Sequence, residues 1–184
     1  MERRKALSAP ADRRPRLALL DRDGVLNVDV GYAYRPEQLA FIDGAPAAVR
    51  RLNEAGWIVV VVTNQSGIAR GLYDEAAVQV FHAGMNVTLA ERGARVDAFY
   101  YCPFHDEGAV EAYRHDDHPD RKPNPGMLLR AMSDYQVAPK DAFMIGDRDS
   151  DMRAAERAGV QGYLFEGEDL DALVQRILTE WEAG

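Results

Sequence analysis

Short apolar runs that stop at polar or acidic residues alternate along this chain with longer stretches of helical spacing. LALLD (17–21) is an apolar run closed by an acid, and its length and bounding residues suit a strand buried on both faces. DGAPAAVRRLNEAG (43–56) reads as a helix, with Asp43 placed to cap it and Gly56 at its end. WIVVVVT (57–63) is β-branched almost throughout and predicts a second buried strand. A long helix is expected from about Asp74 to Arg92, then a strand over VDAFYY (96–101). Residues 102–123 keep no sustained period and are rich in His, Asp, Pro and Arg, which reads as a loop. Helical spacing returns over 125–136, with proline in its first turn. DAFMIGD (141–147) is another strand ending in acid, and DSDMRAAERAG (149–159) another helix. VQGYLF (160–165) and LDALVQRILTEW (170–181) complete the alternation.

Strands alternating with helices imply right-handed crossovers and an α/β fold with a doubly wound parallel sheet covered on both faces. In such a sheet the polar residues just past the carboxyl ends of the strands collect along one edge, where ligands bind. At 184 residues and 47% hydrophobic the chain suits one core. We therefore expect a mobile basic tail over 1–15 and a single domain over 16–184. The net charge of -8 argues against gathering nucleic acid or anionic lipid by bulk attraction. No apolar run approaches the roughly 20 residues a bilayer span needs, and the first residues do not read as a secretory signal. The single cysteine, Cys102, rules out an intrachain disulfide and fits a reducing compartment. A cytoplasmic monomer is expected.

Four segments fall at the predicted ligand edge. Asp21 and Asp23 flank Arg22 just after the first strand, ahead of Gly24, and two acids so close favour a cation between them. An aspartate pair capping a turn explains that segment alone equally well. Thr63, Asn64, Gln65 and Ser66 offer hydroxyl and amide donors to a phosphate at the next strand end, although an ordinary turn has the same composition. Arg121 and Lys122 precede a helix, where lysine can neutralise phosphoryl oxygens and arginine can grip a second anion, or both can be solvated. Gly146, Asp147 and Arg148 close the fourth strand, with Asp149 placed as a helix cap and Asp151 behind it. His82, inside the 74–92 helix, reads as a surface or boundary residue. Tyr100 and Tyr101 read as packing beneath the 102–123 loop.

Taken together, DRDGVLN (21–27), VVTNQSG (61–67), RKPNPG (121–126) and GDRDSD (146–151) resemble the four motifs of the haloacid dehalogenase superfamily of phosphotransferases. VVTNQSGIARG (61–71), YYCPFH (100–105) and RKPNPGM (121–127) are similar to the subfamily that contains D-glycero-D-manno-heptose 1,7-bisphosphate phosphatase and histidinol-phosphatase. The resemblance implies a Rossmann-like phosphatase acting on a small phosphorylated sugar through an aspartyl-phosphate. It assigns the nucleophile to Asp21, the acid and base to Asp23, and phosphoryl stabilisation to Thr63 and Lys122. Magnesium would be held by Asp21, Asp147 and the main-chain carbonyl of Asp23, with Asp151 orienting Lys122 or a metal-bound water. Asp29, Val30, Gly31, Tyr32, Asn64, Gln65, Ser66, Arg121 and Arg148 would meet the substrate.

Only 41 residues separate Asp21 from Thr63, one helix nearly fills that gap, and no separate cap domain is expected. The loop at about 102–121 must then screen the site. Relatives in the subfamily often hold a structural zinc there through Cys-x-His and Cys-x-Cys, whereas this chain has Cys102, Pro103, Phe104 and His118, Pro119, Asp120. Cys102, His105, His118 and Asp120 are all of ligand type, but one cysteine is little thiolate for a structural site, and we expect packing to hold the loop. Two alternatives remain at this stage. One is histidinol-phosphatase or a broad sugar phosphatase. The other is a phosphoaccepting receiver-like module, disfavoured because WIVVVVT ends in threonine where such a module carries its aspartate.

Overall fold

The computed structural model describes residues 14–183; the expected tail over 1–15 lies almost wholly outside them. Five strands form one sheet: β1 (Arg16–Leu20), β2 (Trp57–Asn64), β3 (Ala98–Cys102), β4 (Ala142–Gly146) and β5 (Gln161–Leu164). Every pairing is parallel and the order is β3-β2-β1-β4-β5. Five helices cover it: α1 (Ala45–Glu54), α2 (Glu75–Ala90), α3 (Gly126–Asp134), α4 (Asp149–Ala158) and α5 (Leu170–Ala183). None of the described helices is long and apolar enough to cross a membrane.

Alternation along the central strands splits the core in two. Ala18, Leu20, Val59, Val61, Phe143 and Ile145 face the side covered by α1, α2 and α5. Leu17, Leu19, Val60, Val62 and Met144 face α3 and α4. Burial on both faces is why these strands read as unbroken apolar runs rather than alternating ones. On the first side Phe143 lies 4.8 Å from the ring of Trp57 and 6.0 Å from that of Trp181, tying α5 to the sheet.

The departures from the sequence expectation are local. Asp43 does not cap α1: the cap position is Gly44, and Asp43 instead accepts the Leu170 N–H through its main-chain oxygen. β3 begins at Ala98 rather than 96 and runs on to Cys102, because Val96 is held by the side chain of Asn86 and Asp97 by Val59 before the ladder starts. At α4 the capping contact belongs to Asp151, whose Oδ2 accepts the Arg148 N–H at 3.1 Å; Asp149 pairs with Arg153 one turn on. Residues 22–44 form no further sheet, only isolated bridges such as Asn27 with Phe41 and a 3₁₀ turn at Pro36–Gln38.

The chain leaves β1 toward β2 and β3 on one side and returns to β4 and β5 on the other. The crevice at that reversal opens at the carboxyl ends of β1, β2 and β4. Phe143→Ala would open a cavity beneath the aromatic cluster on the opposite side of the core, and we expect a loss of ~3–5 kcal/mol in urea unfolding. A loss under about 1 kcal/mol would show that α5 is not held through this ring.

Candidate active site

Asp21 directly follows β1, and its N–H still donates to the Ile145 oxygen at 2.9 Å, so the strand ladder fixes its main chain. Its Oδ1 accepts the Arg22 N–H at 2.7 Å and lies 3.0 Å from Lys122 Nζ. Lys122 is 3% exposed; its Nζ donates to the Val62 oxygen at 2.9 Å and forms ion pairs with Asp21 and with Asp151 Oδ1 at 2.6 Å. The amide of Asn64 clamps Lys122 from outside, donating to its oxygen at 3.0 Å and accepting its N–H at 3.1 Å. The second and third motif segments are thereby locked together, and Asn64 also lines the cleft.

Asp21, Asp147 and Asp151 bring three carboxylate oxygens within 4.8 Å of one another. Gly24 makes the approach possible. It sits at φ +86°, and a Cβ there would fall 2.3 Å from Asp147 Oδ2. Burial pushes the Asp21 carboxyl up to about 7, with Lys122 opposing the shift and Asp151 adding to it. Burial also raises Asp147, Asp151 reinforcing this and Arg148 resisting it. Asp147 Oδ1 is buried without a hydrogen-bond partner among the described residues. An all-oxygen donor set with an orphaned carboxylate oxygen fits a hard divalent cation.

The Asp23 carboxylate stands apart from this cluster. Arg22 grips it in a fork, with Nη2 at 2.8 Å from Oδ2; Asn27 donates to Oδ1 at 2.9 Å and Gln65 to Oδ2 at 3.1 Å. Gln65 also donates to Thr63 Oγ1 at 3.0 Å and accepts the Tyr73 hydroxyl at 2.9 Å. Tyr73 and Arg22 are absent from the sequence-derived site, and so is His82. Far from being a surface residue, His82 is 5% exposed and contacts Arg22 at 3.2 Å. No periodic signal marks it, since a buried histidine on an amphipathic helix looks like any polar residue at its edge.

Above these groups lies a cleft of about 480 Å³, lined by Asp21, Asp23, Asp29, Gly31, Tyr32, Thr63, Gln65, Ser66, Arg121, Lys122 and Arg148, among others. Val30 is not in the lining and is 53% exposed. Arg148 reaches Asp29 at 2.7 Å across the mouth, whereas Arg121 has no carboxylate partner among the described residues. The 102–121 loop docks on α2 as Tyr101 and Tyr113 both donate to Glu75, at 2.6 and 2.7 Å. Tyr100 instead donates to Asp134.

The four zinc-type residues do not converge. Cys102 Sγ is 4.0 Å from His118 Nδ1, but His105 pairs with Asp106 and Asp120 with Arg130. Burial pushes the Cys102 thiol up to about 11. Phe104 stacks on His118 at 4.0 Å between ring centres.

The raised Asp21 carboxyl has a sign that stability can reveal. Because the folded protein binds this proton more tightly than the unfolded chain, the contribution of Asp21 to the stability of the metal-free protein is lost as pH rises from about 4 to about 7. In chelator, Asp21→Asn should match the parent near the bottom of that window and melt progressively higher than it toward the top. A constant difference across the window would contradict the burial of this charge.

Residues 120–172 match the family model described as HAD-hydrolase-like. The D-glycero-beta-D-manno-heptose-1,7-bisphosphate 7-phosphatase of Rhodopseudomonas palustris is 45% identical over 177 residues, 96% of this chain and 97% of its own. The protein of the same name from Escherichia coli K12 is 45% identical over 141 residues, 77% of this chain and 73% of its own. The crystal structure of D,D-heptose 1,7-bisphosphate phosphatase from B. bronchiseptica, complexed with magnesium and phosphate, superposes with a TM-score of 0.79 at 34% identity, covering 90% of this chain and 99% of that one. With these relatives and this fold, the chain belongs to the haloacid dehalogenase-like phosphatases, in the heptose 1,7-bisphosphate 7-phosphatase family.

Proposed function

We propose that the protein removes the 7-phosphate of D-glycero-β-D-manno-heptose 1,7-bisphosphate by way of a phosphorylated Asp21. The observation that carries the mechanism is the pairing of Asp21 with buried Lys122 beside Asp147 and Asp151. The substrate rests on the relatives, above all the one matched along 96% of the chain. The guanidinium of Arg121, which donates to the Phe104 oxygen and has no carboxylate partner among the described residues, suits the second phosphate of a bisphosphate. A phosphorylated sugar and an unbridged cysteine both suit the cytoplasm.

In this reading a carboxylate oxygen of Asp21 attacks phosphorus as the bond to the sugar oxygen breaks, and Asp23 gives its proton to the departing oxygen. Asp23 then takes a proton from water as that water attacks the aspartyl-phosphate. The bond to Asp21 breaks and inorganic phosphate leaves. Lys122 and Thr63 hold the transferring group, and Gln65 orients both Thr63 and Asp23. Arg148, Asp29, Gly31, Tyr32 and Ser66 contact the sugar and its far phosphate. Asp21 and Asp147, with the main-chain carbonyl of Asp23, would hold magnesium, which when bound offsets phosphate charge in the transition state. Asp151 acts through Lys122.

Three measurements test this reading. Steady-state rates with magnesium should favour the β-anomer of the heptose bisphosphate over its α-anomer and over histidinol phosphate. Lys122→Met should lower kcat on the order of 100- to 1,000-fold. A preference for histidinol phosphate would replace the substrate, and an unimpaired Lys122→Met would remove the mechanism. In calorimetry, magnesium binding should weaken as pH falls below about 7 because the ion displaces the Asp21 proton. A pH-independent affinity would take Asp21 out of the metal site.

A further inference from the structure

Arg22 is 0% exposed, so a full positive charge is held out of water at the end of β1. Such burial is tolerable only when the donors of the guanidinium find acceptors. Nε and Nη2 reach Asp23, and Nη2 also donates to the Ala33 oxygen at 2.7 Å. The remaining nitrogen, Nη1, has one partner among the described residues, His82 Nε2 at 3.2 Å. The guanidinium lies 4.6 Å from the ring centre of Phe81, which closes its face. His82 is fixed in turn by stacking on Phe99 at 4.3 Å, with Tyr101 edge-on at 6.0 Å. Burial, with the Arg22 charge beside it, pushes the imidazole down to about 3, so Nε2 is free to accept.

This chain of contacts runs from α2 through the guanidinium to the carboxylate that faces the cleft. An arginine fork is planar, so fixing Nη1 fixes the plane in which Nε and Nη2 meet Asp23. We propose that His82 is a positioning residue for the acid and base carboxylate Asp23, acting through Arg22. The inference rests on the reading of Asp23 given above. It gives this histidine a task in the reaction although it touches no ligand and does not line the cleft. Removing its acceptor leaves a buried charged N–H unsatisfied, and the fork is then free to tilt toward other oxygens.

The test uses the whole protein with magnesium and D-glycero-β-D-manno-heptose 1,7-bisphosphate. His82→Phe keeps the stack on Phe99 and loses the acceptor; His82→Gln restores an acceptor oxygen. We expect His82→Phe to lower kcat about tenfold with KM within about twofold, and His82→Gln to recover most of the loss. In an Asp23→Asn background His82→Phe should cause no further loss, because the route to the reaction is already cut. An equal loss in that background, an unchanged kcat in His82→Phe, or a failure of His82→Gln to recover would overturn the proposal. Should His82→Phe not fold, His82→Met carries the same expectation, its unbranched chain filling irregular space. If neither folds, His82 is a structural residue and the proposal falls. Asp23→Asn alone keeps the two readings apart: if it leaves kcat intact, Asp23 is not the acid and base, whatever His82 does.

Discussion

One buried ammonium facing three carboxylates is the interaction on which the rest of this molecule depends. Lys122 meets Asp21 and Asp151 at 3.0 and 2.6 Å, while Asp147 stands beside them with one oxygen unpartnered. Burial works against the Lys122 charge, but its two acidic neighbours outweigh it and raise its proton affinity. A single ammonium against three carboxylates leaves two negative charges in a space of low polarity. That is the charge a divalent cation brings, and burial raises the Asp21 and Asp147 carboxyls. Asp21 follows β1, whereas Asp147 and Asp151 both come from the junction of β4 and α4, and the sheet order brings these two strand ends side by side.

The surrounding structure serves to keep these charges from relaxing apart. Strands buried on both faces give rigid ends. The Asn64 clamp joins β2 to the segment that carries Lys122, and the Asp151 carboxylate holds the first turn of α4 through the Arg148 N–H. Gly24 allows the β1 turn to pass against Asp147 without a side chain between them. A second set of polar contacts holds Asp23: the Arg22, Asn27 and Gln65 side chains all donate to it. Arg22 stands between the two, its main-chain N–H donating to Asp21 and its side chain gripping Asp23.

Much of this was legible in the sequence, for a physical reason. Strands hidden on both faces must be apolar, so an acid that ends such a run stands out, and Asp21, Thr63 and Asp147 all appear at strand ends. What the sequence did not disclose were contacts between polar groups that are neither periodic nor apolar. Arg22 carries no mark beyond its place between two acids, and His82 reads as a surface or boundary residue, until the fold buries them against each other. Tyr73 carries no mark that it will reach Gln65. The caps moved for the same reason: several acids near a helix start are equally able on paper, and at α4 geometry selects Asp151 over Asp149. Nothing in the sequence signals that the Asn64 amide, which lines the cleft, bonds the main chain of Lys122.

The central claim is that the acid held by Lys122 is the one that carries the phosphoryl group. Rapid quenching of a single turnover into acid, followed by proteolysis and peptide mass spectrometry, tests it most directly. The account predicts a transient gain of one PO3 group on the peptide containing Asp21, rising before inorganic phosphate appears and absent without a divalent cation. Phosphate released with no phosphorylated peptide at any quench time, or a phosphoryl group found on a different residue, would contradict it.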